Sequence, residues 1–230
     1  MKRVGHKGAD LVAPGNTVPS FEAALEHGVD MIEFDVLRLR DGRLVLAHDY
    51  EDAGEREPLT LDEGLDHFAG AAYNDVELDV DMKLPGYERE VVKGLTERGL
   101  ADRSLISSHY LASLDKLAEL APQIRRGLSV PQVKRDYTKT PLALPAYGVA
   151  RVMRARLPGK ARQLLRDGRI NAVMSHWLLV SRRLVDVVHA EGGEVYVWTV
   201  DDARRIERLR ALGVHAVITN DPRLFAGGSR

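Results

Sequence analysis

The 230-residue sequence contains no cysteine. That absence excludes a disulfide scaffold, a thiolate zinc finger, an iron–sulfur cluster and a thiol nucleophile. Aromatic residues make up only 6%, and the basic segment has just Tyr137 and Tyr147 between its cations. A stacking platform for nucleic acid is therefore not expected. No apolar run approaches about 18 residues, so no membrane-spanning helix is predicted. The chain enters patterned sequence directly at Met1-Lys2-Arg3-Val4-Gly5-His6, with no signal peptide in front, and a cytoplasmic protein is expected. Net charge is nearly absent too, 33 Lys and Arg against 34 Asp and Glu, but it is unevenly spread. Residues 1–102 hold 11 Lys and Arg against 23 Asp and Glu; residues 123–169 hold 12 against only Asp136 and Asp167. The basic stretch is either a set of solvated helix faces or a surface for an anionic partner.

What is present is periodicity. With 44% hydrophobic residues the chain can bury a full core, as a single domain over 1–230. Eight short apolar runs predict strands at Arg3–His6, Met31–Val36, Val76–Met82, Ser104–Ser108, Ile124–Val130, Ile170–Ser175, Glu194–Thr199 and His215–Thr219. Helical stretches separate them. Thr60-Leu61-Asp62-Glu63 is a capping box opening a helix towards Phe68. Helices after Ser181 and Asp201 end at Gly192 and Gly213, and one from about Pro19 ends at Gly28. Eight alternating strands and helices predict an α/β fold, a compact (β/α)8 TIM barrel. A doubly wound sheet is the alternative, but no Gly-x-Gly-x-x-Gly follows any strand. Asp41-Gly42 predicts a hairpin after the second strand. Pro131, Pro141, Pro145 and Pro158 mark the segment expected to be least regular.

Two of these strands are too polar for a core. Met31-Ile32-Glu33-Phe34-Asp35-Val36 has two carboxylates on one face, and Leu78-Asp79-Val80-Asp81-Met82-Lys83 sets Asp79, Asp81 and Lys83 on one face. Neighbouring strands would aim four carboxylates into one volume at the barrel mouth. Unpaired, like charges there repel and lose hydration. A hard divalent cation with oxygen ligands relieves this: Mg²⁺, Ca²⁺ or Mn²⁺. His6 and His48 flank the cluster as an acid–base pair. Asp49 is placed to orient an imidazole, and His109 and His176 end strands four and six within reach of the mouth. With Lys7 and Lys83 as fixed cations, this equipment suits displacement at phosphorus rather than hydride transfer.

These residues resemble the glycerophosphodiester phosphodiesterases. The resemblance is carried by His6-Lys7-Gly8, Pro14-Gly15-Asn16-Thr17, Phe21, the run from Gly28 to Val36, Asp41-Gly42 and His48-Asp49. The family pattern is H-R-G, P-E-N-T, G-x-D-x-I-E-x-D-V, D-G and H-D. Asp81-Met82-Lys83 is similar to its E-x-K strand, Val197-Trp198-Thr199-Val200 to its V-W-T-V, and Gly213 to Pro222 to its closing G-V-x-x-I-I-T-D-x-P. The resemblance implies Glu33, Asp35 and Asp81 as ligands of Mg²⁺ or Ca²⁺, and His6 and His48 as the acid–base pair. It further implies Lys7 and Lys83 on phosphate oxygens, and Trp198 lining the mouth. The implied reaction cleaves a small glycerophosphodiester to an alcohol and sn-glycerol 3-phosphate. Related alternatives are a lysophospholipase D or a cyclising phosphotransferase on a lipid-like substrate; a barrel that binds a phospho-ligand without turnover is the non-enzymatic one.

Three departures from the pattern stand out. Lys7 replaces Arg, Gly15 replaces Glu, and Asp81 replaces Glu. The expectation is that Lys7 and Gly15 form a unit: the lysine needs no carboxylate anchor, and Gly15 leaves a gap beside the site. Lys7→Arg with Gly15→Glu would then recover the family arrangement. The short segment from His48 to Asp81 has room for one loop and the helix to Phe68, so the cap is reduced and the mouth open. Val149, Val152, Met153 and Leu157 form a helical stripe between Arg151, Arg154 and Arg156, up to a break at Pro158-Gly159. That stripe packs on the barrel or meets an anionic lipid surface. Oligomeric state is left open by the sequence.

Overall fold

A computed structural model describes residues 1–132 and 143–228. Asp136, Tyr137 and Pro141 lie outside the described residues. The first half of the chain runs β1 (Lys2–Gly5), α1 (Val18–Glu26), β2 (Met31–Arg38), β3 (Leu44–Val45), α2 (Asp52–Glu55), α3 (Leu61–Phe68), β4 (Glu77–Met82), α4 (Glu88–Glu97) and β5 (Ser104–Ser108). The second runs α5 (Leu111–Leu120), β6 (Arg125–Val130), α6 (Ala143–Arg166), β7 (Ala172–His176), α7 (Arg182–Ala190), β8 (Glu194–Trp198), α8 (Ala203–Leu212) and β9 (Ala216–Thr219).

Eight strands close a ring in the order β1-β2-β4-β5-β6-β7-β8-β9, every neighbouring pair parallel. The fold is the (β/α)8 barrel. β3 stands outside the ring, antiparallel to β2, and makes the predicted hairpin with Gly42 at φ +93°. Strands in such a ring are buried on both faces, which is why β2 is buried from Met31 to Leu37. Alternate residues Ile32, Phe34 and Val36 pack outward under the helices. Val4, Met31, Leu105, Ala172, Met174, Tyr196, Ala216 and Ile218 point inward and fill the lower lumen.

Below that plug, Glu77 pairs with Lys2 and Arg125, and Arg125 reaches Glu194 at 3.4 Å. Glu194 also takes His215 at 3.3 Å and the Tyr196 hydroxyl at 3.0 Å. This network ties β1, β4, β6, β8 and β9 at the base. The mouth at the opposite end is left to the polar tops of the strands.

The helix ends follow their sequence signals. Thr60 and Glu63 form the reciprocal capping box of α3, Ser181 caps α7, and α8 ends on the left-handed Gly213. The cap of α8 is Asp202 rather than Asp201. A larger difference is α6. It runs on through Pro158, 24 residues without the break expected at Pro158-Gly159. Proline inside a helix costs about 3 kcal/mol, but Leu157, Ala161 and Leu164 bury one face of α6 on the barrel. Burying two leucines offsets that cost at about 1.5–3 kcal/mol each. The apolar stripe divides: Met153 and Leu157 pack on the core, while Val149 and Val152 are 60% and 51% exposed. Among the described residues no helix is long and apolar enough to cross a membrane.

Candidate active site

Register across β2 and β4 sets Glu33 beside Asp79 and Asp35 beside Asp81. At i and i+2 these side chains share the inner face near the mouth. One carboxylate oxygen each from Glu33, Asp35 and Asp81 lies within 4.8 Å of the other two. Asp79, the fourth carboxylate of the sequence cluster, does not join them. It sits one step lower and accepts a hydrogen bond from the Ser107 hydroxyl at 2.7 Å. Burial pushes its pKa up to about 8 against that bond, with the Asp81 charge adding to the rise.

Lys83 closes the cluster from above, its ammonium paired with Asp35 and, at 2.6 Å, with Asp81. Burial opposes that charge, but Asp35, Asp81 and Glu33 outweigh it and raise the Lys83 pKa well above the usual range. Burial likewise would raise Asp35, yet the charges of Lys83, His48 and His6 hold it below the usual carboxylate range. Glu33 goes the other way. Burial first, then the Asp35 charge, raise it well above that range.

Three converging carboxylates with one ammonium between two of them leave acceptor capacity unused. Asp81 Oδ1 is buried without a hydrogen-bond donor, and Asp35 Oδ1 has none beyond its ion pair with Lys83. An all-oxygen donor set with orphaned lone pairs fits a hard divalent cation.

The loop from His6 to Thr17 wraps these strand tops and is tightly specified. Lys7 and Asn16 hold left-handed φ of +50° and +58°. A Cβ on Gly5 would lie 2.1 Å from the Gly8 carbonyl oxygen, so the turn requires glycine there. The Lys7 N–H donates to Glu33 Oε2 at 2.8 Å. Asn16 clamps Asp35 twice, its Nδ2 donating to Asp35 Oδ2 at 2.9 Å and its Oδ1 accepting the Asp35 N–H at 3.1 Å. Asn16 belongs to the Pro14–Thr17 motif, yet its spacing carries no sign of this positioning role.

The expectation for Lys7 and Gly15 is corrected. Lys7 does have a carboxylate anchor, because Asp10 Oδ2 holds its Nζ at 2.9 Å. There is also no gap at Gly15. A Cβ there would lie 2.5 Å from Asp10 Oδ1 and 2.8 Å from Lys7 Cβ, since Asp10 has folded back to accept the Gly15 N–H at 2.9 Å.

The two histidines stand differently. His6 Nε2 lies 3.9 Å from Glu33 Oε2, and its Nδ1 meets Asn220 Oδ1 at 2.6 Å. Burial lowers its pKa below the ordinary value, against the charge of Asp35. His48 is half exposed in the loop after β3, with Nδ1 3.0 Å from Asp49 Oδ2. Asp49 is itself held low, first by the Asp52 backbone N–H and then by His48. Asn220 and its partner Asp201 were not singled out in the sequence; a polar Thr-Asn-Asp run closing the last strand was the available signal.

Trp198 on β8, His176 on β7 and His109 just past the end of β5 form a wall. The Trp198 N–H donates to the Met174 carbonyl at 2.9 Å, which fixes the ring. His176 and His109 lie edge-on to it, with centroids at 5.3 and 6.3 Å. The His109 Nδ1–H donates to the Ser129 carbonyl at 2.9 Å.

Comparison with known proteins agrees with this fold. Residues 6–67 and 58–224 match the glycerophosphoryl diester phosphodiesterase family. A glycerophosphodiester phosphodiesterase of Caldanaerobacter subterraneus subsp. tengcongensis is 26% identical over 251 residues, covering 95% of this chain and 93% of that one. A crystal structure of a glycerophosphodiester phosphodiesterase from Parabacteroides distasonis superposes with a TM-score of 0.74 at 19% identity, covering 99% of this chain and 98% of that one. An Oleispira antarctica phosphodiesterase, solved with its product sn-glycerol-3-phosphate, gives 0.72 at 20% identity, covering 99% and 96%.

Proposed function

The chain belongs to the glycerophosphoryl diester phosphodiesterase family and is a phosphoric diester hydrolase acting on glycerophosphodiesters; from that premise we propose how its residues divide the work. Glu33, Asp35 and Asp81 form the site of one divalent cation, with Mg²⁺, Ca²⁺ and Mn²⁺ the ions suited to oxygen donors. The observation carrying this is the convergence of their three oxygens within 4.8 Å, with Asp81 Oδ1 buried and without a donor. Bound there, the ion would supply Lewis-acid stabilisation of charge on a non-bridging phosphate oxygen.

The remaining steps belong to the side chains. Lys83 and Lys7 present ammonium groups to the phosphate as point charges, which tolerate a range of approach angles better than a guanidinium fork does. Of His6 and His48, one takes the proton of the attacking hydroxyl or water at Nε2, and the other delivers a proton to the leaving alkoxide. Trp198 offers the organic end of the substrate a fixed apolar face. The product pair is an alcohol and sn-glycerol 3-phosphate.

Phosphorus NMR of a glycerophosphodiester incubated with the protein tests this. Glycerol 3-phosphate should accumulate, stop on adding EDTA and resume with excess Mg²⁺, Ca²⁺ or Mn²⁺. EDTA-resistant turnover, or unchanged cation binding in Glu33→Gln with Asp81→Asn, would overturn the cation assignment.

A further inference from the structure

We propose that Asp201, acting through Asn220, holds His6 in the tautomer protonated at Nδ1 and so makes Nε2 the proton acceptor of the site. This rests on His6 being one of the two proton-transfer groups, and it assigns His6 the accepting role and His48 the donating one.

The chain of bonds starts at a group with no freedom of sign. An ionised carboxylate only accepts. Asp201, just beyond β8, takes the Thr219 hydroxyl at 2.9 Å and the Asn220 N–H at 2.8 Å on Oδ1. Its Oδ2 takes the Asn220 side-chain NH₂ at 2.7 Å. With the donor end of the amide so committed, the carbonyl end, Oδ1, faces His6 Nδ1 at 2.6 Å. A carbonyl cannot donate, so the shared proton is on Nδ1. The main chain beneath the ring is fixed as well, because the His6 backbone N–H donates to the Thr219 carbonyl at 2.8 Å. Nε2 is left with a lone pair, 3.9 Å from Glu33 Oε2 and on the side of the carboxylate cluster.

A staple between β8 and β9 would need only Oδ1 of Asp201. The second oxygen has a different task, that of orienting an amide. Asp201 and Asn220 are thus positioning residues that act through His6. Asp201→Asn separates the two tasks. The Oδ1 bonds to Thr219 and the Asn220 N–H can persist, while an NH₂ replaces Oδ2. Two amide donors then face each other, the Asn220 amide turns, and its NH₂ meets His6 Nδ1. The imidazole proton must move to Nε2.

The test uses ¹⁵N-labelled protein free of divalent cations, with the His6 ring signals identified by their loss in His6→Gln. Long-range proton–nitrogen correlation should show the Nδ1-protonated pattern in the starting chain and the Nε2-protonated or a mixed pattern in Asp201→Asn. With glycerophosphodiester and excess Mg²⁺, kcat should fall about 10- to 100-fold in Asp201→Asn with KM nearly unchanged. The exchange Asp201→Asn with Asn220→Asp puts an obligate acceptor back beside His6, and should restore both the tautomer and most of kcat. If Asp201→Asn does not fold, Asn220→Ala takes its place and should give a mixed pattern. An Nε2-protonated His6 in the starting chain, or a pattern unmoved by these variants, overturns the proposal. Absence of any glycerophosphodiester hydrolysis would instead refute the functional proposal, leaving the NMR result to decide the tautomer by itself.

Discussion

His6 and His48 illustrate how neighbours give one residue type two different environments. His6 is buried against Asn220, and His48 is half exposed beside Asp49. His6→Ala and His48→Ala should each lower kcat by about 10² to 10⁴, the usual worth of a positioned acid or base, with melting temperature preserved. Wild-type rates in either variant would remove that residue from the mechanism. Gly15 is a sharper case, because its hydrogen atom faces Asp10 and Lys7. Gly15→Ala should raise KM by displacing the Asp10 anchor of Lys7. For the same reason Lys7→Arg with Gly15→Glu should lose activity rather than recover it, and kcat/KM across the four combinations measures this. The sequence showed a missing carboxylate at position 15. It could not show that Asp10 folds back to supply one.

The elements carry most of the stability arguments. Glu88 opens α4 and is buried, its carboxylate accepting the Gly86 N–H at 3.0 Å and the Lys116 ammonium of α5 at 2.8 Å. Burial alone would raise its pKa; these bonds outweigh it and bring it down to about 2 from an ordinary 4.5. Between those two values the unfolded chain binds more protons than the folded one. The stabilisation is therefore complete above the unfolded value and lost as pH falls towards the folded one. Glu88→Gln should lower the melting temperature at pH 7, and its deficit against the starting chain should shrink steadily from pH 5 to pH 2. A deficit independent of pH would place the loss in packing. At the N-terminus of α3, Thr60→Ala should cost about 1 kcal/mol by breaking the capping box with Glu63, readable by denaturant melts.

At the scale of the molecule, the barrel separates stability at its base from chemistry at its mouth. Glu77 links Lys2 on β1 to Arg125 on β6 across the closed base. Glu77→Gln should lower the melting temperature while leaving kcat at permissive temperature within about twofold, since the ion pairs of Glu77 are with Lys2 and Arg125 at the base. Glu33→Gln should do the reverse. Removing one of three crowded carboxylates relieves repulsion, so the melting temperature in EDTA should rise, while hydrolysis in excess divalent cation is lost. Matching losses of stability in both variants would contradict the division.

The sequence by itself determined the barrel, the hairpin and the inward face of acidic residues on β2 and β4, because each follows from local rules. A period of two decides which way Glu33 and Asp35 point, and eight alternating strands and helices admit few closures. It misjudged α6, where burial of Leu157 and Leu164 overrides the local signal of Pro158. Only the tertiary structure decided what surrounds the cluster. Closing the ring brings His6 to Asn220 across 214 positions. Left-handed turns at Lys7 and Asn16 set a backbone N–H on Glu33 and an amide on Asp35. No periodicity encodes such contacts, because they depend on loop dihedrals and on which strands become neighbours when the sheet closes.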